Sequence, residues 1–346
     1  MRIVVTGATG NVGTALLRRL RSEPDVTSTV GVCRRPPDTG QPPYDRTEWV
    51  HLDIADPRSL PTMVDAFTGA DAVIHLAWRI QPSHDERALW RVNVEGSRQV
   101  AAATISAGVP HLVVASSVGA YSPGPKDVGV PEDWQTGGIP SSAYSRHKSA
   151  VERGLDAITA EHPELIITRV RPGLVFQAGA GSEIARYFLG PLLPVSLIGR
   201  LRLPVLPLPS QFVFQAVHAD DLAQAYWVLV RQQTGGAFNV AAEPVLTPTH
   251  LAQAIGAWRS VRFPVAGLRI LAWASWHARL QPTDPGWIDL AANSPVMSTE
   301  RIRALGWTPE TSSRQALADL VGGISSGAGT ASPPMRSRHL LHSRAE

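Results

Sequence analysis

Apolar residues fall into two interleaved patterns over the first half of the chain. Short continuous runs at residues 3–5, 27–33, 72–76, 112–115 and 165–170 read as strands. Between them, residues 12–20, 88–107 and 145–160 carry helical periodicity. Strands that are apolar without alternation are buried on both faces, and regular exchange with helices indicates a parallel sheet covered on two sides. The predicted fold is therefore α/β, a doubly wound parallel sheet over residues 1–172. A smaller C-terminal lobe is expected over 173–320, interleaved with strands around 212–241 that return to the sheet. Helical patterns recur at 220–230, 250–257 and 268–280, and a strand at 237–241. Residues 189–209, rich in Pro, Leu and Gly, read as an irregular apolar loop. Residues 322–346 are dominated by Gly, Ser, Pro and Arg and read as a disordered tail.

Composition narrows the function. The 44% hydrophobic content is enough for one large α/β unit with an attached lobe. The net charge of +3 comes without a Lys/Arg block, so no nucleic-acid partner is expected. The single cysteine, Cys33, rules out an intrachain disulfide and a multi-cysteine metal site, and no metal is expected. The opening Met1-Arg2-Ile3-Val4-Val5 runs straight into a glycine loop, without the apolar region of a signal peptide, and a cytoplasmic location is expected. Prolines, Arg200 and Arg202 interrupt the most apolar stretch, residues 187–209, so no membrane span is expected.

The glycine loop is Thr6-Gly7-Ala8-Thr9-Gly10-Asn11-Val12-Gly13, between the first strand and the first helix. Gly7 permits a tight turn, Gly10 leaves room for a pyrophosphate, and Gly13 lets helix and strand pack closely. The helix N-terminus offers free N–H groups and a positive dipole end. Thr9, Asn11 and Val12 are expected along the same cofactor edge. About 20 residues further on, NAD-preferring folds place an acid for the ribose 2′-hydroxyl. Here the second strand ends in Arg34 and Arg35. Guanidinium forks match phosphate oxygens, so NADP is expected in preference to NAD, the other reading being solvated loop charges. Asp53-Ile54 follows the third strand, where Asp53 either meets an adenine amino group or caps a turn.

Tyr144 and Lys148 stand four residues apart on a predicted helix and so share a face. A phenol titrates near 10, and bringing it to neutrality needs roughly 4 kcal/mol of differential stabilisation. A neighbouring ammonium is expected to supply part of it. Upstream, Val113-Val114-Ala115 ends in Ser116-Ser117, at the sheet end where ligands bind. Asn93, polar on an apolar pattern, either holds a water for Lys148 or satisfies a buried backbone group. His147 lies off the shared face and is expected in solvent. Trp273 and Trp276, at i, i+3 spacing, are expected in the core, with pocket lining as the alternative.

The combination resembles the extended short-chain dehydrogenase/reductases, also called the NAD-dependent epimerase/dehydratase family. Further matches are His75-Leu76-Ala77, Arg171-Pro172-Gly173 and Val217-His218-Ala219-Asp220-Asp221-Leu222-Ala223. The resemblance spans roughly residues 1–310. It implies a Rossmann domain holding the cofactor, with Leu76, Ala77 and Pro172 among its contacts. It also implies Tyr144 as acid/base, Lys148 as its tuner and ribose anchor, and Ser117 as donor to the substrate oxygen. Ser117 is preferred to Ser116 because Tyr121 follows it by four residues. The Asp-Glu pair of sugar 4,6-dehydratases is replaced by Val118-Gly119, and the Arg-Asp-Phe of sugar-nucleotide members by Phe214-Gln215-Ala216. The expected substrate is therefore a small molecule, partly apolar and not a nucleotide sugar. The expected activity is hydride transfer at a carbonyl/alcohol carbon. The alternatives are an epimerase with tightly held cofactor, or a non-catalytic dinucleotide sensor or assembly subunit. A homodimer is what the resemblance suggests.

Overall fold

The structure, a computed structural model, describes residues 1–189 and 202–337. In chain order the first half consists of β1 (Arg2–Thr6), α1 (Asn11–Ser22), β2 (Ser28–Cys33), β3 (Glu48–His51), α2 (Leu60–Phe67), β4 (Ala72–His75), α3 (Glu86–Trp90), α4 (Gly96–Ser106), β5 (His111–Ala115), α5 (Ala143–Glu161) and β6 (Ile166–Pro172). A π-helical turn, Arg91–Glu95, joins α3 to α4. The second half begins with β7 (Leu174–Phe176), α6 (Gly181–Ile184), β8 (Leu206–Leu208), β9 (Phe214–His218), α7 (Ala219–Arg231), β10 (Gly236–Val240) and β11 (Ala242–Leu246). It ends with α8 (Pro248–Ala254), β12 (Ser260–Arg262), α9 (Val265–His277), α10 (Pro285–Asn293), α11 (Glu300–Ala304) and α12 (Ser313–Ser326).

Seven parallel strands form the main sheet in the order β10-β6-β5-β4-β1-β2-β3. Both faces are covered, which is why β1, β4 and β5 are apolar along nearly their whole length. One core layer places Ile3, Val5, Leu16, Tyr226 and Trp307 together. The other packs Val4, Val73, Val94, Val100 and Leu155 on the opposite face. Strand order reverses direction at β1 and β4, and a crevice opens beyond their C-terminal ends, where doubly wound sheets bind ligands. A three-stranded sheet, β11-β9-β7, and the β12-β8 pair build the smaller lobe.

Three expectations are corrected. Residues 322–337 are not an irregular tail: α12 runs through Ser326, and Met335 is fully buried. The helix starts at a capping box in which Ser312 and Gln315 satisfy each other's backbone groups, and then presents Ala316, Leu317, Leu320, Val321 and Ile324 to the lobe's core. That apolar periodicity outweighs the Gly- and Ser-rich composition. His147 is not solvated. It is 1% exposed, with its ring edge-on to Trp90 at 5.3 Å. The buried arc of α5 is wider than the Tyr144/Lys148 face, since Ser145, Ser149 and Glu152 are buried as well. Trp273 is not core: it is 54% exposed. The apolar stretch read over 189–209 lies mostly outside the described residues. Its described end contains β8, which pairs with β12. No described helix is long and apolar enough to cross a membrane.

Candidate active site

The glycine loop forms the floor of a cleft at the end of β1. Gly7 has φ +72°, a left-handed conformation that glycine adopts without strain, and its N–H donates to Val32 O at 3.0 Å. A Cβ at Gly7 would come within 2.6 Å of Ala77 N, and one at Gly13 within 2.4 Å of Gly7 O. The nearest atom to a Cβ at Gly10 is 3.5 Å away, so this glycine is not required by protein packing. Gly10 is the N-cap of α1 and has no side chain to cap the first turn. Free N–H groups, a positive dipole end and an open approach over Gly10 fit the pyrophosphate of a dinucleotide.

The cleft is lined by Gly7, Thr9, Gly10, Arg34, Arg35, Asp53, Ile54, Leu76 and Ala77. Arg34 and Arg35 are exposed at its rim, and Arg34 Nη1 lies 3.9 Å from Asp53. Asp53 also caps a turn, accepting from Ala55 N at 2.9 Å. Other expected cofactor contacts lie elsewhere. Asn11 is anchored to the smaller lobe, donating to Val175 O at 3.1 Å and accepting from Gln177 Nε2 at 2.6 Å. Val12 packs on the core, and Gly13 lies beneath Gly7. Pro172 ends β6 opposite Val240 and is buried, outside the cleft lining.

The catalytic candidates are assembled just beyond the cleft. Ser117 ends the segment after β5, and its hydroxyl accepts from Gly119 N at 3.0 Å. Ser142 N-caps α5 and so starts the helix two residues before Tyr144. Gly119 lies flush against the Tyr144 ring, where a Cβ would be 2.9 Å from Cε1. Gly119 thus leaves room for the Tyr144 ring, while Val118 packs on the cluster of Tyr121, Ala241 and Met297. Lys148, one turn further on, is 3% exposed and donates to Ala115 O at 2.7 Å.

The structure adds a residue that sequence reasoning missed. Trp78 lines the cleft, holds Lys148 Nζ 3.4 Å from its ring centroid and meets Tyr144 edge-on at 5.9 Å. It thereby links the dinucleotide cleft to the Tyr144/Lys148 pair. Nothing in the sequence distinguishes an aromatic after a strand from core packing. Arg79, Ile80, Gln81, Glu183, Tyr187 and Pro334 also line the cleft, and Trp287 packs on Tyr144 at 5.2 Å.

Asn93 sits in the π-helical turn and is 2% exposed. Its Oδ1 accepts from Arg79 N at 2.7 Å and its Nδ2 donates to Arg79 O at 3.1 Å. Of its two readings, the structure supplies the backbone clamp, which holds the strand exit carrying Trp78. His75 bridges Thr6 at 2.6 Å and Ser97 at 2.9 Å. Burial, reinforced by the Lys148 charge, pulls its pKa down to about 3, so it is neutral at neutral pH.

Electrostatics differ from the simple expectation that lysine acidifies the phenol. Burial pushes Tyr144 up to about 12, against a smaller pull downward from the Ser117 hydroxyl. Burial also pushes Lys148 down to about 7, opposed by the Glu152 carboxylate one turn away. With Lys148 Nζ committed to Ala115 O and the Trp78 face, desolvation outweighs the Ser117 hydrogen bond at Tyr144 and the Glu152 charge at Lys148.

Behind the pair lies a buried polar network. Arg171 donates to both Glu152 oxygens, at 2.8 and 2.9 Å, and to Tyr121 at 2.9 Å. Ser116 donates to Glu152 at 2.5 Å, and Tyr121 to Asn239 at 2.7 Å. The network locks the ends of β5, β6 and β10 to α5. Phe214, where sugar-nucleotide relatives are expected to carry a substrate-facing Arg, packs against the smaller lobe's core, and the neighbouring Gln215 is buried and exchanges two hydrogen bonds with the Met297 backbone, at 3.0 and 2.7 Å.

Comparisons with known proteins agree with this architecture. An uncharacterized protein of Mycobacterium tuberculosis is 27% identical over 330 residues, covering 92% of this chain and 82% of that protein. A second is 29% identical over 259 residues, covering 74% of this chain, and there the match spans only 23% of the relative's length. The L-arabinose 1-dehydrogenase (NAD(P)(+)) of Haloferax volcanii is 35% identical over 118 residues, 34% of this chain and 41% of that protein. Among solved structures, the Thermus thermophilus UDP-glucose 4-epimerase with NAD superposes with TM-score 0.68 at 20% identity, over 94% of this chain and 99% of that one. The dTDP-glucose 4,6-dehydratase DesIV of Streptomyces venezuelae, with NAD and TYD bound, superposes with TM-score 0.68 at 20% identity, over 93% and 96%. The model of the NAD dependent epimerase/dehydratase family matches residues 3–241, and with the glycine loop and the parallel sheet behind it, this chain belongs to that family.

Proposed function

We propose that the protein is an NADP(H)-dependent oxidoreductase that interconverts a carbonyl and an alcohol, with Tyr144 as its proton donor and acceptor. The observation that carries this reading is the position of Trp78, with the dinucleotide cleft on one side and Lys148, Tyr144 and Ser117 on the other. Gly7, Gly10 and the first turn of α1 would hold the pyrophosphate, and Arg34 and Arg35 a 2′-phosphate. A nicotinamide dinucleotide bound there supplies or takes up hydride. The chain's own residues handle the proton. Burial keeps the Tyr144 phenol protonated at neutral pH, which suits it to give that proton to a carbonyl oxygen in the reductive direction. Ser117 donates a hydrogen bond to the same oxygen, and a protonated Lys148 compensates the phenolate left behind.

The surroundings support an uncharged, partly apolar substrate. Tyr144 is flanked by Trp78 and Trp287, and Phe188 lies edge-on to Trp287 at 5.0 Å. Phe214, at the place of the Arg that sugar-nucleotide relatives set on a substrate phosphate, has neither charge nor hydrogen-bond donor to offer one. The nucleotide-sugar names of the solved neighbours belong to proteins about 20% identical to this one. The test is NADPH consumption against a panel of carbonyls, with dinucleotide affinity measured in parallel. Tyr144→Phe is expected to lose turnover at least a hundredfold while keeping NADPH affinity, in line with the usual worth of acid–base catalysis. Tighter binding of NADH than of NADPH would overturn the arginine assignment. Full turnover in Tyr144→Phe would overturn the proton assignment. Product formation without net NADPH loss would establish an epimerase instead.

A further inference from the structure

Helix α9 departs from the rule that an apolar helix is buried. Its thirteen residues carry one charged side chain, Arg269, and none of the thirteen is buried. Ile270, Leu271 and Trp273 are 66%, 59% and 54% exposed. Ile270, Trp273 and His277 recur at i, i+3 and i+7 and so lie on one face. The inner side is occupied, with Trp276 stacked on His84 at 4.0 Å. The β12 ribbon, which enters α9 through Pro264, continues the pattern with Trp258 72% exposed. Large apolar side chains left exposed on one helix in this way mark a binding face.

Charge selects the partner. Residues 244–283 contain four arginines, 259, 262, 269 and 279, and no Asp or Glu. Among the described residues only Arg269 of the four has an ion-pair partner, Asp289 at 3.0 Å. An isologous contact with a second copy would set these cations against themselves. Exposed tryptophan and aliphatic side chains in a segment whose Arg259, Arg262 and Arg279 are exposed without an ion-pair partner among the described residues instead match the boundary between headgroups and acyl chains of an anionic bilayer. We propose that the outer face of α9, with the adjoining β12 ribbon, docks the protein on an anionic lipid surface. Thirteen residues reach about 20 Å, too short to span, so the helix lies along the surface. The Arg269–Asp289 pair ties α9 to α10, whose Trp287 touches Tyr144, so the docked face adjoins the candidate site. The proposal stands on the surface itself and does not depend on the catalytic reading.

The test is vesicle flotation of the full chain. Phosphatidylcholine vesicles are compared with an equimolar mixture of phosphatidylcholine and phosphatidylglycerol, in low and high salt. Binding to the mixed vesicles is expected, weakened by salt. Ile270→Ser/Trp273→Ser is expected to lower partitioning at least tenfold, since withdrawing one large apolar side chain alone accounts for about that factor. Its thermal melt and NADPH affinity should match the parent's, because both side chains already face water. Arg259→Glu/Arg262→Glu should abolish the preference for the anionic mixture, which gives an independent reading if the first variant misfolds. Failure of the parent to float with either vesicle overturns the proposal. So does unchanged flotation of the serine variant, or a dimer in sedimentation equilibrium that the serine variant disperses without any lipid binding.

Discussion

Replacing Arg171 by methionine tests how the reaction end of the sheet is held. The Glu152 and Arg171 side chains are 1% and 4% exposed and meet through two hydrogen bonds. Methionine fills much of the volume but leaves a buried carboxylate whose remaining partners are Ser116 and, at 3.5 Å, Arg169. Removing one member of such a pair costs about 3–5 kcal/mol. At about 2.1 cal/mol/K per residue, the unfolding entropy of this chain is about 0.7 kcal/mol/K, so Tm should fall by about 4–7 °C at pH 7. The pH dependence has a definite sign. In the parent, burial pushes the Glu152 carboxyl up, but the Arg171 guanidinium and then the Ser116 hydroxyl outweigh it, so it titrates below its ordinary range. That stabilisation is present above the unfolded carboxyl's pKa of about 4.3 and is lost as pH falls through the folded value. In the variant burial is opposed by less, the folded pKa rises, and the penalty is relieved by protonation. The Tm gap should therefore be widest at neutral pH and narrow toward pH 4. Adding Glu152→Gln should recover part of the loss at pH 7. Melts followed by circular dichroism at both pH values decide it. A single variant within ~1 °C of the parent at pH 7, or strictly additive effects in the double variant, would refute the reasoning.

Three other outcomes are expected. Gly13→Val drives a side chain into Gly7 O and Ala8, and should abolish dinucleotide binding in titration calorimetry while lowering Tm. Gly119→Ala displaces the Tyr144 ring, and should cut kcat at least tenfold with dinucleotide affinity unchanged, since misplacing a reacting group by about 1 Å costs up to a hundredfold. Lys148→Met should abolish turnover yet raise Tm at pH 7. The folded ammonium's pKa is depressed to about 7 from about 10.4, so its charge opposes folding fully below pH 7, and that cost fades as pH rises to 10.4. The stability advantage of the methionine variant should therefore vanish near pH 10 in a pH series of melts.

The layered fold was legible because its signal is repeated. Each strand of the main sheet that is covered on both faces must be apolar throughout, and each covering helix must be amphipathic, so β1, β4 and β5 announce themselves. The glycine loop was legible for a different reason, since its spacing answers to backbone geometry around a phosphate. Side-chain partnerships were less accessible. Asn93 had two readings until Arg79 was seen on both ends of its amide. His147 is off the Tyr144/Lys148 face, yet Trp90, 57 positions earlier, comes from the α3 end to cover it. Trp78 gives no local signal, because its importance comes from Lys148 and Tyr144 arriving from a helix 66 to 70 residues later. The Ser312/Gln315 capping box was present in the sequence, but glycine and serine further along masked it.

The segment after α12 has a consequence of its own. Ser332 donates to Thr9 O, Thr14 donates to the Met335 sulfur at 3.7 Å, and Pro334 forms part of the cleft wall. Two ends of the chain more than 300 positions apart therefore share one small structure, and each must be in place for the other to keep its shape. Coupling of that kind is reciprocal. Filling the cleft should shield residues 328–337 from proteases, and a probe attached there should report on cofactor occupancy, which makes this strand of chain a natural place to put a sensor.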